Sequence, residues 1–331
     1  MKYRTLGATG LKISAIGFGC GMGGGLLIGG TPEERVRAVR RALSLGINYF
    51  DTAPSYGDGK SETHLGRALA EIGEEVVVST KVRLATEALA DIAGATAAGV
   101  EESLRRLGRE SVDLIQLHNH VVDRRGSSRQ LDLTPDDILG AGGVIAAFET
   151  LRKRGRVRHF GFTGLGEPAA LHALVESGAF HSVQVYYNLL NPSAGDPVPR
   201  GFSAVDYAGL IERATAKGMG VLAIRVLASG VLSADPPLSG SRFVLSRGSD
   251  YASDVERARR LAFLVGGDVK NLSQAAIRFA LMKPGVSSVL IGFANIKQIE
   301  EAAACSDAGP LSASVMDRLR NEWQSDFGRM G

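Results

Sequence analysis

The segment Ile47-Asn48-Tyr49-Phe50-Asp51-Thr52-Ala53-Pro54-Ser55-Tyr56-Gly57-Asp58-Gly59-Lys60-Ser61-Glu62-Thr63-His64-Leu65-Gly66-Arg67-Ala68-Leu69 holds one strand, a turn and the start of one helix. Residues 47–51 read as a strand and 61–72 as a helix. The unit recurs on both sides of this segment. Strand-like runs cover 14–19, 47–51, 76–81, 112–118, 157–163, 182–187, 220–225 and 287–292. Several are continuous apolar runs, the pattern of parallel strands buried on both faces. Helical patterns follow at 32–45, 61–72, 95–107, 144–154, 167–176, 204–217, 273–282 and 295–304. The first opens on Thr31-Pro32-Glu33-Glu34, a capping box with proline at the first helical position.

Eight alternations with no linker, low-complexity tract or shift of composition predict one α/β domain over residues 1–331, a (β/α)8 TIM barrel. A last helix, 312–327, is extra to the eight units. Residues 3–12, with Gly10 in a turn, are expected to form an N-terminal hairpin capping one end. Loop lengths say where chemistry belongs. Helix-to-strand connections are short. The long connections run from strand to helix, at 20–30, 119–143, 188–203 and 227–272. They gather at the carboxyl ends of the strands, the end that carries the active site in such barrels. The second strand ends in Asp51, the third in Lys81 and the fourth in His118. A buried acid and a buried amine are costly unless paired.

Composition bounds the partners. The chain has 331 residues, 44% hydrophobic and 22% charged, which excludes a disordered chain. A net charge of +3 argues against nucleic acid or a membrane surface as partner. Cys20 and Cys305 cannot make a disulfide framework, and the expected location is cytoplasmic. The apolar stretch 15–28 after Lys2 and Arg4 is broken by glycines and shows no cleavage site, so it is not read as a signal peptide. No run approaches the ~18 apolar residues of a membrane span. Glycine is in excess, 42 residues, with eight between Gly17 and Gly30.

Taken singly, each residue has a plain structural reading. Asp51 and Lys81 form a structural ion pair, Tyr56 is a loop tyrosine, and His118 is a core histidine. Two rival chemistries also stand. Gly19-x-Gly21-x-x-Gly24 matches a dinucleotide fingerprint with Asp51 ending the next strand, but the helix begins seven or eight residues later than that motif requires. His118-x-His120 has metal-ligand spacing. Of the other histidines, His64 and His172 fall on helices, and His159 and His181 at the opposite strand ends, so no metal is expected.

The run from Asp51 to Leu69 resembles the signature of the aldo-keto reductase family. Nearly the whole chain follows that family's pattern, from Gly17-Phe18-Gly19 through Lys81 and His118 to the C-terminal segment. The resemblance is closest to the branch with sugar 1-dehydrogenases. It implies the catalytic set Asp51, Tyr56, Lys81 and His118, and hydride transfer between nicotinamide and an aldehyde, ketone or alcohol. Tyr56 is then the proton donor, with the Lys81 ammonium favouring its phenolate. Asp51 orients Lys81, and His118 positions the carbonyl oxygen.

The resemblance also implies a dinucleotide, NADP(H) first and NAD(H) second, held across the barrel mouth. Gln184 matches the glutamine that bonds the carboxamide. Thr163 keeps a hydroxyl where serine is common, and Gly164 stands in place of an asparagine. Residues 222–230 resemble the pyrophosphate loop, with Leu227, Ser229 and Gly230 as backbone and hydroxyl donors; Ile224 stands where the family often stacks a tyrosine on nicotinamide, so an aliphatic face or the Arg225 plane serves instead. Gly292, Asn295, Lys297, Gln298 and Glu301 match the adenine and ribose region. Lys297 also reads as a solvated helix charge. Ala294 and Asn295 stand where NADP-preferring relatives carry a basic residue, which leaves NAD open. The loops, together with Trp323, are expected to shape a pocket for a small carbonyl or alcohol substrate. Arg124, Arg125 and Arg129 make the second long loop basic, read first as solvated charge. A non-catalytic alternative is a nicotinamide-binding sensor or channel-associated subunit. Direction of reaction and oligomeric state stay open.

Overall fold

The protein is described by a computed structural model over residues 1–126, 131–233 and 251–330. Ten strands occur among these residues: β1 Tyr3–Thr5, β2 Lys12–Ser14, β3 Ile16–Gly19, β4 Tyr49–Asp51, β5 Val77–Val82, β6 Val112–Leu117, β7 Val157–Thr163, β8 Ser182–Tyr186, β9 Gly220–Ile224 and β10 Val286–Gly292. The last eight close a barrel in the order β10-β3-β4-β5-β6-β7-β8-β9. Every neighbouring pair in it is parallel. Helices connect the strands and cover the outside, as parallel strands buried on both faces require. The predicted (β/α)8 architecture is the observed one, and a closed barrel replaces the open sheet of the dinucleotide-fingerprint alternative.

The hairpin β1–β2 plugs the amino-terminal end of the barrel. Tyr3 pairs with Ser14 and Thr5 with Lys12, antiparallel. Gly10 makes the turn at φ 76°, a backbone state open to glycine. Leu6 and Ile13 then sit with Tyr49, Leu114, Leu222 and Leu290 in one buried cluster. The approach is tight: a Cβ on Gly220 would lie 2.3 Å from Leu6 Cδ1. Apolar side chains thus seal one end of the barrel.

Register sets which polar groups meet there. Asp51 pairs with Ser79 across β4 and β5, and Lys81 with Gln116 across β5 and β6. Ser79 and Lys81 are two residues apart on one strand, and so are Gln116 and His118. Side chains two apart share a face of a strand.

The elements depart from expectation in three ways. The run 14–19 is broken, because Ser14 ends the hairpin strand and the barrel strand starts at Ile16. Ser14 Oγ donates to Ile16 O at 2.6 Å, and Ser14 N to Asn48 Oδ1 at 2.7 Å, which turns the chain between the two strands. The helix expected over 204–217 is confined to Leu210–Ala216. Ala208 (φ 49°) and Gly209 (φ 70°) are left-handed and stop it from extending backward. Helices at Leu26–Gly29, Pro135–Leu139 and Tyr251–Arg260 lie inside segments expected to be loop.

Trp323 does not shape a pocket. It lies in the helix Ala313–Gln324, 1% exposed, with its indole N–H donating to Leu189 O at 2.9 Å and its ring edge-on to Phe279. In the loop after β6, Arg124 is exposed and Arg125 pairs with Asp137 at 2.6 Å, while Arg129 lies outside the described residues. No helix among the described residues is long and apolar enough to cross a membrane.

Candidate active site

The turn after β4 explains the motif that runs from Asp51. Gly57 (φ 62°), Asp58 (φ 53°) and Gly59 (φ 83°) form a left-handed run that launches the helix Lys60–Ile72. That helix is locked to the strands by buried polar side chains. Thr52 Oγ1 and Ser61 Oγ lie 2.8 Å apart, and Ser61 donates on to Cys20 O at 2.9 Å. Glu62, fully buried, accepts from Thr80 Oγ1 and from Arg106 Nε, each at 2.5 Å. Thr80 directly precedes Lys81, so this ion pair braces the strand that carries the amine.

At the centre, Lys81 is fully buried and its ammonium makes three contacts. It donates to Asp51 Oδ2 at 2.5 Å, to Thr52 O at 2.9 Å and to Tyr56 OH at 3.1 Å. Burial by itself would push this amine down; Asp51, and after it Tyr56, outweigh burial and hold Lys81 above its ordinary value. Lys81 also sits 4.7 Å from the centroid of the Tyr56 ring.

His118 follows β6, and its backbone N–H donates to Val82 O at 2.8 Å. Its ring stands almost perpendicular to that of Tyr56, centroids 6.2 Å apart. Burial first, then the charges of Lys81, Arg83, Arg225 and His120, hold its imidazole well below the ordinary histidine value. The ring is therefore neutral near pH 7 and carries a single N–H. Its Nδ1 is buried with no hydrogen-bond partner among the described residues. The four residues of the implied catalytic set thus gather around one point at the carboxyl end of the barrel.

Three more side chains converge on Asp51 Oδ1. Ser79 Oγ donates at 2.7 Å, Gln184 Nε2 at 2.8 Å and Gln116 Nε2 at 3.2 Å. Tyr49 OH lies 2.9 Å from Ser79 Oγ and completes the chain below. Ser79 and Gln116 were not among the residues singled out from the sequence. Their signal was present, since each lies two positions before a strand-ending Lys81 or His118. Thr163 Oγ1 donates to Gln184 Oε1 at 3.2 Å, so the two expected carboxamide ligands are already joined. A Cβ on Gly164 would lie 2.8 Å from Gln184 O; a larger residue there needs the backbone to shift.

The loop after β9 has unusual backbone. Arg225 (φ 56°), Ala228 (φ 45°), Ser229 (φ 56°) and Gly230 (φ 97°) are all left-handed, and non-glycine residues hold that state at a cost of about 1–3 kcal/mol each. Arg225 Nη1 donates to Ser229 Oγ at 2.8 Å, and Asn188 Nδ2 holds Arg225 O at 3.0 Å. The result is a guanidinium, a hydroxyl and a tight turn at the strand end, a donor set suited to an anion. Leu227, half-buried, lies in the same loop.

At the end of β10, Asn295 caps the helix Ile296–Cys305 by accepting from Gln298 N at 3.0 Å, while Gln298 Oε1 accepts from Ala294 N at 2.8 Å. Both residues are thus engaged in capping. Lys297 is 82% exposed and lies 3.8 Å from Glu301. The glycine-rich loop bridges this end to the centre. A Cβ on Gly21 would touch the Tyr56 ring at 3.3 Å, and one on Gly24 would fall 2.0 Å from Phe293 N, next to Gly292.

Among the described residues no three His, Cys, Asp or Glu side chains group to hold a metal ion. Cys20, at the floor of this region, is buried. Burial and then Asp51 push its thiol up, against Lys81, so it is not a thiolate nucleophile.

Residues 15–323 match the family described as "Aldo/keto reductase family". L-galactose dehydrogenase from Arabidopsis thaliana is 28% identical, covering 92% of this chain and 88% of its own length. A protein of Schizosaccharomyces pombe named as a voltage-gated potassium channel subunit beta is also 28% identical, over 96% of this chain and 92% of its own. Among solved structures, the holo form of aldo-keto reductase AKR11C1 from Bacillus halodurans superposes with a TM-score of 0.75 at 24% identity, over 98% of this chain and 97% of that one, a likeness of fold. With a matched span of this extent and a closed eight-stranded barrel, the chain belongs to the aldo/keto reductase family of oxidoreductases.

Proposed function

We propose that this protein interconverts an aldehyde or ketone and its alcohol with a nicotinamide dinucleotide, with sugars as the favoured substrate class. The observation that carries this reading is the Lys81 ammonium set between Asp51 at 2.5 Å and the Tyr56 hydroxyl at 3.1 Å. That is a proton donor with its own electrostatic control, open to a ligand at the mouth of a sealed barrel. The donor set suits a dinucleotide. Gln184 and Thr163 offer amide and hydroxyl groups for a carboxamide, and Arg225 with Ser229, Gly230 and the Leu227 turn offers an anion seat. Asn295, Lys297, Gln298 and Glu301 line the first turns of the helix after Gly292, toward the adenosine end. When bound, the dinucleotide supplies or takes up the hydride.

The chain's own residues manage the proton. In the reductive direction negative charge grows on the carbonyl oxygen, and Tyr56 delivers its hydroxyl proton there. The phenolate left behind lies beside the Lys81 ammonium, which lowers the cost of that charge. Asp51 offsets the cost of burying the ammonium and fixes its direction. His118, neutral, donates its one N–H to the same oxygen and aligns it, preorganised stabilisation of developing charge. In the oxidative direction Tyr56 takes the proton from the alcohol. The sugar preference is supported by the likeness to L-galactose dehydrogenase.

Titration with NADPH and NADH, following nicotinamide fluorescence, tests the reading. Saturable binding, tighter for NADPH, is expected; no response to either dinucleotide overturns it. Lys297 is the basic side chain in the first helical turn that favours the 2′-phosphate, and Ala294 with Asn295 leaves room for NADH. A second reading, a regulatory subunit that binds the dinucleotide without turnover, is favoured by the likeness to a potassium channel subunit beta. Steady-state oxidation of NAD(P)H with a panel of aldehydes separates the two, since a regulatory subunit binds and does not turn over.

A further inference from the structure

We propose that Gln184 couples the nicotinamide seat to the acid–base network by holding the Asp51 carboxylate with one amide hydrogen while its remaining amide positions take the ligand carboxamide. This inference rests on the nicotinamide reading above. Gln184 is 1% exposed and lies on β8, across the barrel from β4. Its Nε2 donates to Asp51 Oδ1 at 2.8 Å, and its Oε1 accepts from Thr163 Oγ1 at 3.2 Å. A primary amide has two N–H donors and two carbonyl lone pairs, so these contacts use one of each. The other N–H and the other lone pair match the acceptor and donor of a second primary amide. A residue that only seated the ligand would need no bond to the acid that orients Lys81.

The three donors on Asp51 Oδ1 are not equivalent. Ser79 Oγ is also tied to Tyr49 OH at 2.9 Å, and Gln116 Nε2 stands at the longer 3.2 Å. Gln184 also reaches the neighbouring strand, where its Oε1 accepts from Thr163 Oγ1. The charged and titratable surroundings of Asp51 are Lys81 on β5, Tyr49 and Tyr56 on its own segment, and Cys20 after β3. Beyond them stands His118, with Arg83, His120 and Arg225 acting on it. Apart from Lys81 and the arginines no permanent cation is among them, so the neutral donors carry the rest of the carboxylate's solvation.

Two variants of the full-length protein read the coupling in two ways. Gln184→Met keeps the volume and removes the donor. The carboxylate is then held by one bond fewer and Lys81 is aimed less firmly at Tyr56, so kcat is expected to fall about tenfold at every pH. Gln184→Glu keeps the shape. Protonated, the new acid still donates to Asp51; ionised, it sets two carboxylates side by side, which repel. Its kcat is expected to fall as pH rises. A pH-independent fall in one variant and a pH-dependent fall in the other cannot both come from general loss of fold, and circular dichroism of both variants checks folding directly. An unmoved kcat profile in both, with only the cofactor KM raised, overturns the coupling and leaves Gln184 as a seat alone. No nicotinamide fluorescence response in the unsubstituted protein overturns the functional reading and this inference together, and is told apart by that measurement.

Discussion

The Lys81 ammonium donates to the Tyr56 hydroxyl at 3.1 Å, across the turn that begins with Asp51. A phenol oxygen that accepts from an ammonium keeps its own proton free to be given to a ligand. Tyr56→Phe keeps the ring that stands edge-on to His118 and removes the hydroxyl. Turnover is expected to fall by about 10²–10⁴, with dinucleotide fluorescence titration unchanged. Unaltered steady-state turnover would remove Tyr56 from the proton step.

Asp51 and Lys81 are a buried pair, 5% and 0% exposed at their side chains. Breaking such a pair from one side leaves a charge without compensation and costs about 3–5 kcal/mol. Asp51→Asn is therefore expected to lower urea unfolding stability on that scale as well as abolish activity. The double variant Asp51→Asn with Lys81→Met is expected to recover a large part of the stability and none of the activity. A double variant no more stable than Asp51→Asn would show that the single loss is not an unpaired amine.

Histidine titration sets the acid edge of stability. His64, His118, His159 and His181 are all held below the ordinary histidine value of 6.5, burial being the largest cause in each. The folded state then keeps them neutral while the unfolded chain takes up protons below about pH 6.5. Stability is present above the unfolded value and is lost as pH falls, by at most about 1.4 kcal/mol per pH unit for each such group. Lys81 acts at the other edge. Raised in the fold, it contributes below its ordinary 10.5 and loses that contribution as pH rises through the folded value. Tm is expected to be level from pH 7 to 9 and to decline from pH 6.5 downward. His159→Phe, beside His181 with ring centroids 5.2 Å apart, is expected to flatten that decline; an identical slope would exclude His159 from it.

The barrel was legible because parallel strands buried on both faces write themselves as apolar runs, and 157–163 matches β7 residue for residue. Asp51, Lys81 and His118 were legible as polar ends on such runs. Ser79 and Gln116 were legible only as sharing a strand face with Lys81 and His118; that they meet Asp51 follows from the register, Asp51 against Ser79 and Lys81 against Gln116. The segment 204–209 was misread as helix because long-range side chains capture its backbone. Ser193 Oγ donates to Val205 O at 3.0 Å and accepts from Tyr207 N at 3.0 Å. The helix Pro135–Leu139 repeats the proline-led capping box of Thr31, with Thr134 and Asp137; its single turn of helix gave no periodicity to read.

The glycine-rich loop offers a test of how the barrel mouth is shaped. Gly24 is packed so closely on the strand β10 exit that an alanine Cβ would stand 2.0 Å from Phe293 N and 2.3 Å from its carbonyl carbon and oxygen. Backbone atoms cannot rotate away as a side chain does, so the loop must lift. The bond from Leu26 N to Phe293 O at 3.2 Å would be strained or lost. Overpacking of this kind costs about 1–3 kcal/mol. Gly21, whose Cβ position is 3.3 Å from the Tyr56 ring, moves with the same loop. Gly24→Ala is therefore expected to lower both unfolding stability and the affinity for nicotinamide dinucleotide. Gly23→Ala, with nothing within 4 Å of the added atom, is expected to change neither. Equal stability and equal dinucleotide Kd in the two variants would show that the close contact at Phe293 does not hold the loop in place.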